Sequence, residues 1–252
     1  MSSTDAQLCE IFTSIQGEGV YLGERQVFIR FAGCNLSCGY CDSSESLVLS
    51  PEYKVEQTPG KHDFKVFKNP APLQDLVSHV ANITKPSYFA HSVSITGGEP
   101  LLQIDFLKAF LPELKKNKQK VYLETNGTLP QYLEEIIGSV DITSMDIKLP
   151  SSSGGTSRIK EHRAFLEIAY TKEVFVKVVV TPNTLIKEIE EAARMVSEID
   201  AEIPFIIQPA TPTKRIKHRP GAQDLLAWQT MARKHLNKVK VIPQVHKIMG
   251  LI

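Results

Sequence analysis

Residues 33–44 read GCNLSCGYCDSS and put three of the chain's four cysteines, Cys34, Cys38 and Cys41, within eight positions. Thiolates are metal ligands and nucleophiles, so the spacing invites a chemical reading. A closed zinc site takes four ligands, and a disulfide framework takes an even count. Cys9 is available as a fourth ligand, but it sits in AQLCEIF, a strand-like run where a lone buried cysteine is the commoner case. C-x3-C-x2-C is also not a usual zinc-finger spacing. Three unconnected thiols this close together would be an oxidation hazard. An iron–sulfur cluster fits best. Three thiolates on a 4Fe–4S cluster leave the fourth iron to an outside ligand, as catalytic metal sites keep one position open.

The elements around this loop must position it. Short apolar runs rich in β-branched residues lie at 92–98, 120–127, 140–150, 174–180, 204–209 and 238–244. They alternate with helical periodicity at 103–117, 130–138, 158–170, 184–200 and 222–236. Alternation of this kind predicts βαβ units and an α/β fold with a mostly parallel sheet. With QVFIRFAG at 26–33, the template reading gives about six or seven parallel strands, short of the eight of a full barrel. The loops after these strands carry the unusual sequences: the cysteine loop, TGGEP, ETNGT, DIKLPSSSGG, TPN and QPATPT. Parallel α/β folds build their sites from such loops.

The 252 residues are 42% hydrophobic and 23% charged, ordinary for a globular protein that needs no disulfide staples. Lys+Arg 29 against Asp+Glu 28 leaves a net charge of +1, which gives no support to nucleic-acid binding. MSSTDAQLCEIFTS lacks the basic flank and apolar stretch of a signal peptide. No segment approaches the roughly 18 apolar residues of a membrane span. Clustered cysteines suit reducing conditions, so a cytoplasmic location is expected. Residues 45–71 break the rhythm and contain three prolines. They read as an insertion, as a small hairpin or a lid, or else as a surface excursion without a role. TKRIKHRP at 213–220 reads as a solvated basic loop.

The motifs resemble a known family. C-x3-C-x2-C with Tyr40 just before the last cysteine is the signature of radical S-adenosylmethionine enzymes, and TGGEP at 96–100 matches that superfamily's second motif. IFTSIQGEG (11–19), FIRFAGCNLSCGYCDS, ETNGT, DIKLPSSSGG, IIQPA (206–210) and the terminal QVHKIMGLI resemble the 7-carboxy-7-deazaguanine synthase family. The likeness runs over about residues 8–252, with 45–71 set outside it. It implies a partial (βα)6-type barrel forming one radical S-adenosylmethionine domain over 1–252. It also implies a 4Fe–4S cluster, S-adenosyl-L-methionine chelating its open iron, and Mg2+. The implied reaction is that of a carbon–nitrogen lyase acting on 6-carboxy-5,6,7,8-tetrahydropterin. A hydrogen atom is abstracted, the ring contracts, ammonia leaves, and 7-carboxy-7-deazaguanine forms on the way to queuosine or archaeosine. A reductant such as flavodoxin or ferredoxin and a homodimer are implied partners.

The resemblance assigns roles residue by residue. Ile15, Gln16 and Gly17 match the substrate segment, and Glu18 joins them as a pterin contact. Arg30 matches the position that clamps the substrate carboxylate, a task suited to a guanidinium. Ser43 matches the magnesium ligand, where many relatives have Thr. Thr96 matches a substrate contact; Tyr40, Asp42 and Gly98 match S-adenosylmethionine contacts. Glu99 offers a carboxylate to the cofactor's ammonium group. Asp146 departs from a Ser-x-Lys pattern and supplies a carboxylate for ribose hydroxyls, with Lys148 beside it. Gln208 begins the segment near the adenine. His246, and the carboxylate of Ile252, reach the substrate from the chain's end. The competing readings are a glycyl-radical-enzyme activating enzyme and a metal-binding module without radical chemistry. SIQGEG and QVHK count against the first, and TGGEP with the strand pattern against the second.

Overall fold

Six-residue runs such as Ser92–Gly97 are wholly apolar, β-branched or small, and so favour strands buried on both faces. The stretches between them place apolar residues on one helical face, as Ile189, Ala192, Ala193 and Val196 do. The computed structural model describes residues 5–85, 89–213 and 215–251. Its strands are β1 (Asp5–Ala6), β2 (Leu8–Ile15), β3 (Arg25–Phe31), β4 (Glu52–Glu56), β5 (Phe64–Lys68), β6 (Ala71–Pro72), β7 (Ser92–Gly97), β8 (Val121–Thr125), β9 (Ile142–Ile147), β10 (Glu173–Val180), β11 (Phe205–Pro209) and β12 (Val239–Val241). Its helices are α1 (Leu73–Ile83), α2 (Ile104–Lys116), α3 (Pro130–Ile136), α4 (Pro150–Ser153), α5 (Ile159–Ala169), α6 (Ile186–Ser197), α7 (Ala222–Ala232) and α8 (Val245–Met249).

One 10-stranded sheet runs in the order β12-β11-β10-β9-β8-β7-β3-β2-β4-β5. Strands β3 and β7 to β12 are mutually parallel, as the alternating pattern predicts. Strand β2 pairs antiparallel with β3, and β5 antiparallel with β4. The edges are β12 and β5, so the sheet is an open, partial barrel. Helices α1, α2, α3, α5, α6 and α7 pack side by side in chain order over one face. The main apolar core lies between them and the sheet. Among the described residues, no helix is long and apolar enough to cross a membrane.

Strand period two then decides which side chains face the other way. Arg30, Thr96, Glu124, Asp146, Lys177 and Gln208 line a cavity on the inner face. Their neighbours Ile29, Ile95, Leu123, Met145, Val178 and Ile207 belong to the core. One element departs from the sequence reading. Helix α1 occupies a stretch the reading leaves without an element, although Leu76, Val80 and Ile83 give it a buried face. Within 45–71, the hairpin alternative of that reading is the one found: β4 and β5 pair antiparallel, and β4 joins the main sheet beside β2.

Candidate active site

A cavity of about 630 Å³ opens at the C-terminal ends of the parallel strands. Every site residue expected from the sequence lines it except Glu99, and except Ile252, which lies outside the described residues.

The cysteine loop follows β3. Cys34, Cys38 and Cys41 are half-buried free thiols on the cavity wall. Burial raises the thiols of Cys34 and Cys41, so they bind as thiolates only when a metal compensates. Three thiol donors on one cavity wall are the donor set that a 4Fe–4S cluster with one open iron takes, and one short of a closed tetrahedral zinc site. Two further loops lock the thiol loop in place. Gly98 N donates to the Phe31 carbonyl at 3.1 Å, and Glu99 N to the Gly33 carbonyl at 2.8 Å. A Cβ on Gly98 would lie 2.0 Å from the Gly33 carbonyl oxygen, so this approach requires glycine. From the other side, Asn126 Nδ2 donates to Asn35 Oδ1 at 2.8 Å, and Asn35 Nδ2 to Thr128 Oγ1 at 2.9 Å.

Glu99 corrects an expectation. Its side chain is fully buried and does not reach the cavity. It accepts from Asn126 N at 2.8 Å, Thr125 Oγ1 at 2.9 Å and Leu101 N at 3.2 Å, joining TGGEP to ETNGT. Burial pushes its carboxyl up to about 7, against the pull of these donors. A group so committed has no oxygen aimed at a ligand's ammonium.

The far wall carries a chain of charges. Lys148 Nζ pairs with Asp146 Oδ2 at 2.9 Å, Lys177 Nζ lies 3.8 Å from the same oxygen, and Lys177 also pairs with Glu18. Burial alone would lower both lysines; Asp146 beside Lys148, and Glu18 and Asp146 beside Lys177, hold the ammonium groups above the ordinary range. Burial would likewise raise Glu18, but Lys177 holds its carboxyl down to about 2. Asp146 Oδ1 and Gln208 Oε1 are buried on this wall without a hydrogen-bond partner. Such atoms cost free energy unless something donates to them, which marks the place of a ligand rich in N–H or O–H groups. Tyr40 is buried nearby with the Lys148 ammonium 5.4 Å from its ring centroid.

On the near wall, Arg30 Nε donates to Glu10 at 2.8 Å and Nη1 to Ser43 Oγ at 3.3 Å. Glu10 thus fixes the guanidinium and leaves its remaining donors facing the cavity. Arg30 also lies over Phe12, 5.5 Å from the ring centroid, and Phe12 stacks on Phe28 with centroids 5.1 Å apart. Gln16 lines the cavity, but its amide does not stand ready for a ligand edge as expected. Nε2 donates to Gln26 at 2.9 Å and to Glu124 at 2.8 Å, while Oε1 accepts from Glu18 N at 3.1 Å. Glu124 also accepts from Thr96 Oγ1 at 2.9 Å. Sequence reasoning missed Glu124 and Lys177; the signal was a charged residue interrupting an otherwise apolar strand, as in VYLET and VFVKVVV. Cys9, expected in the core, is half-buried and lines the cavity beside Arg30.

The chain's end closes the rim. Val245 N donates to the Gly17 carbonyl at 3.0 Å, and a Cβ on Gly17 would lie 2.3 Å from His246 Nδ1. Gln244 Nε2, also missed from sequence, donates to Glu18 and to Asp42 at 2.9 Å each. Ligand atoms of Glu18, Asp42 and His246 fall within 4.8 Å of one another, and Lys177 and Lys247 already supply positive charge to that group.

Comparisons with known proteins bear on this arrangement. The family model described as the Radical SAM superfamily matches residues 28–196. A 7-carboxy-7-deazaguanine synthase of Geobacter sulfurreducens is 44% identical over 253 residues, covering 99% of each chain. One from Methanothermobacter thermautotrophicus is 35% identical over 98% of each. The aligned span takes in 45–71, which the sequence reading set outside the likeness. The crystal structure of QueE from Escherichia coli superposes with a TM-score of 0.59 at 20% identity, covering 94% of this chain and 93% of that one, and speaks for the fold. SuiB from Streptococcus suis, bound to S-adenosylmethionine, superposes with a TM-score of 0.56 over 83% of this chain and 48% of that one. The chain belongs to the radical SAM superfamily and, within it, to the 7-carboxy-7-deazaguanine synthase family.

Proposed function

We propose that the chain is a 7-carboxy-7-deazaguanine synthase, converting 6-carboxy-5,6,7,8-tetrahydropterin to 7-carboxy-7-deazaguanine with loss of ammonia. The observation that carries this reading is the meeting of Arg30 and Ser43, Nη1 to Oγ 3.3 Å, on the wall that also bears the three thiols. An anion clamp and a hard oxygen ligand side by side suit a carboxylate shared between a guanidinium and magnesium.

Cys34, Cys38 and Cys41 would hold the 4Fe–4S cluster, and Asp146, Gln208, Tyr40, Asp42, Lys148 and Gly98 would surround S-adenosylmethionine. Together these groups supply a reductive cleavage that yields a hydrogen-abstracting radical. The chain's own residues do the rest. The unpartnered oxygens of Asp146 and Gln208 accept from ribose and adenine donors. Arg30 takes the substrate carboxylate while Glu10 holds its plane. Glu124, kept in place by Gln16 and Thr96, accepts from the amino and ring N–H groups along the pterin's edge. Phe12 and Phe28 give the ring a dry wall, and α8 with Gly17 keeps water from the rim. Ile15, Glu18 and His246 complete that rim.

We place the whole of 1–252 in one radical SAM domain, since the sheet runs from Leu8 to Val241. A cytoplasmic homodimer reduced by a flavodoxin or ferredoxin, without nucleic-acid or membrane partners, follows from the resemblance. Titration of the reconstituted protein with the pterin tests the site. Arg30→Ala is expected to weaken binding by roughly tenfold to a hundredfold, the worth of a charged hydrogen bond, with iron content unchanged. Equal affinity in the variant would sink the assignment.

A further inference from the structure

The basic loop after β11 takes no part in the cavity. Residues 213–220 read TKRIKHRP and include no acidic residue, in a chain of net charge +1. Arg215, Lys217, His218 and Arg219 are exposed, and among the described residues none of them forms an ion pair. Thr213 N donates to the Ile216 carbonyl at 2.7 Å, and Thr213 Oγ1 accepts from Arg215 N and Ile216 N at 3.2 Å each. Ile216 gives this stretch an apolar anchor. Ile216 packs against the cluster of Tyr40, Val179 and Ala210, and Cys38 packs against the same cluster. This anchoring holds the positive charge beside the thiol loop, whose outward side is open at Asn35 and Ser37.

Radical chemistry at those thiols needs an electron that neither the pterin nor S-adenosylmethionine provides. An outside donor must approach the thiol loop closely; it loses one electron, the cysteine-held group gains it, and no bond or proton changes hands. Electron-transfer partners meet over small, charge-steered interfaces. We infer that Arg215, Lys217 and Arg219 dock an acidic one-electron carrier protein beside the thiol loop. This rests on the radical reading of the cysteine site.

The test uses the anaerobically reconstituted full chain and a purified, acidic flavodoxin as probe, with binding read from flavin fluorescence. Replacing Arg215, Lys217 and Arg219 together by Glu is expected to weaken binding at least about tenfold, and raising the salt is expected to weaken wild-type binding. A charge-matched control, Lys118→Glu with Lys172→Glu and Lys187→Glu, changes exposed lysines elsewhere and is expected to bind as wild type. Turnover driven by dithionite, which needs no docking, stays the same in the loop variant, while flavodoxin-driven turnover falls about tenfold. Unchanged flavodoxin affinity in the loop variant, or equal weakening in the control, overturns the docking surface. So does loss of affinity for a transfer-RNA transcript with flavodoxin binding intact, which would make the loop a nucleic-acid surface. Binding is read without pterin, so failure of the docking site and failure of the proposed reaction are distinguishable.

Discussion

At the scale of single residues, the cavity balances buried charges that would each be costly alone. Glu18 shows the consequence. Burial opposes its charge, yet Lys177 and the donor Gln244 hold its carboxyl near 2, against an ordinary value of 4.5. A depressed carboxyl contributes stability that is fully present above the ordinary value and is lost as pH falls through the folded one. Wild type is therefore expected to exceed Glu18→Gln in stability at pH 6, with the gap closing between pH 4.5 and about 2. Thermal melts of both proteins across that range measure it; a gap that stays constant to pH 2 would show that Glu18 acts by shape and not by charge.

At the scale of elements, three loops act as one part. The thiol loop, TGGEP and ETNGT share bonds through Gly33, Gly98, Glu99, Asn35 and Asn126. Gly98→Ala is the sharpest probe, because its Cβ would press on a backbone oxygen with no freedom to yield. It is expected to lower iron content after reconstitution and to cost about 1–3 kcal/mol in unfolding experiments, as overpacking does. Full iron loading at wild-type stability would contradict the interlocked-loop account. This scale also shows what the sequence reveals. The cysteine spacing and TGGEP are readable because their chemistry is written in consecutive residues. Glu99 was misread because its partners, Thr125 and Asn126, come from the next strand and loop, and no local pattern announces them. Gln16 is similar: its partner Glu124 lies 108 positions away. The β4–β5 hairpin is obscured by prolines and by an edge strand whose faces are mostly exposed, which blunts the period-two signal. The parallel strands were legible because burial on both faces leaves near-continuous apolar runs.

At the scale of the whole molecule, the chain's two ends build one rim. Residues near the start supply Gln16, Gly17 and Glu18, and residues near the end supply Gln244, Val245 and His246. Removing residues 245–252 is expected to weaken pterin binding by about tenfold while leaving iron loading and S-adenosylmethionine binding near wild type. Isothermal titration of both ligands checks this, and equal losses for both would place α8 in general folding instead. The central claim is the reaction itself, and one anaerobic assay addresses it. Reduced, reconstituted protein is incubated with 6-carboxy-5,6,7,8-tetrahydropterin, S-adenosylmethionine and magnesium, and the products are read by mass spectrometry. The account predicts 7-carboxy-7-deazaguanine, formed with release of ammonia. Accumulation of 5′-deoxyadenosine with the pterin unconverted would contradict it.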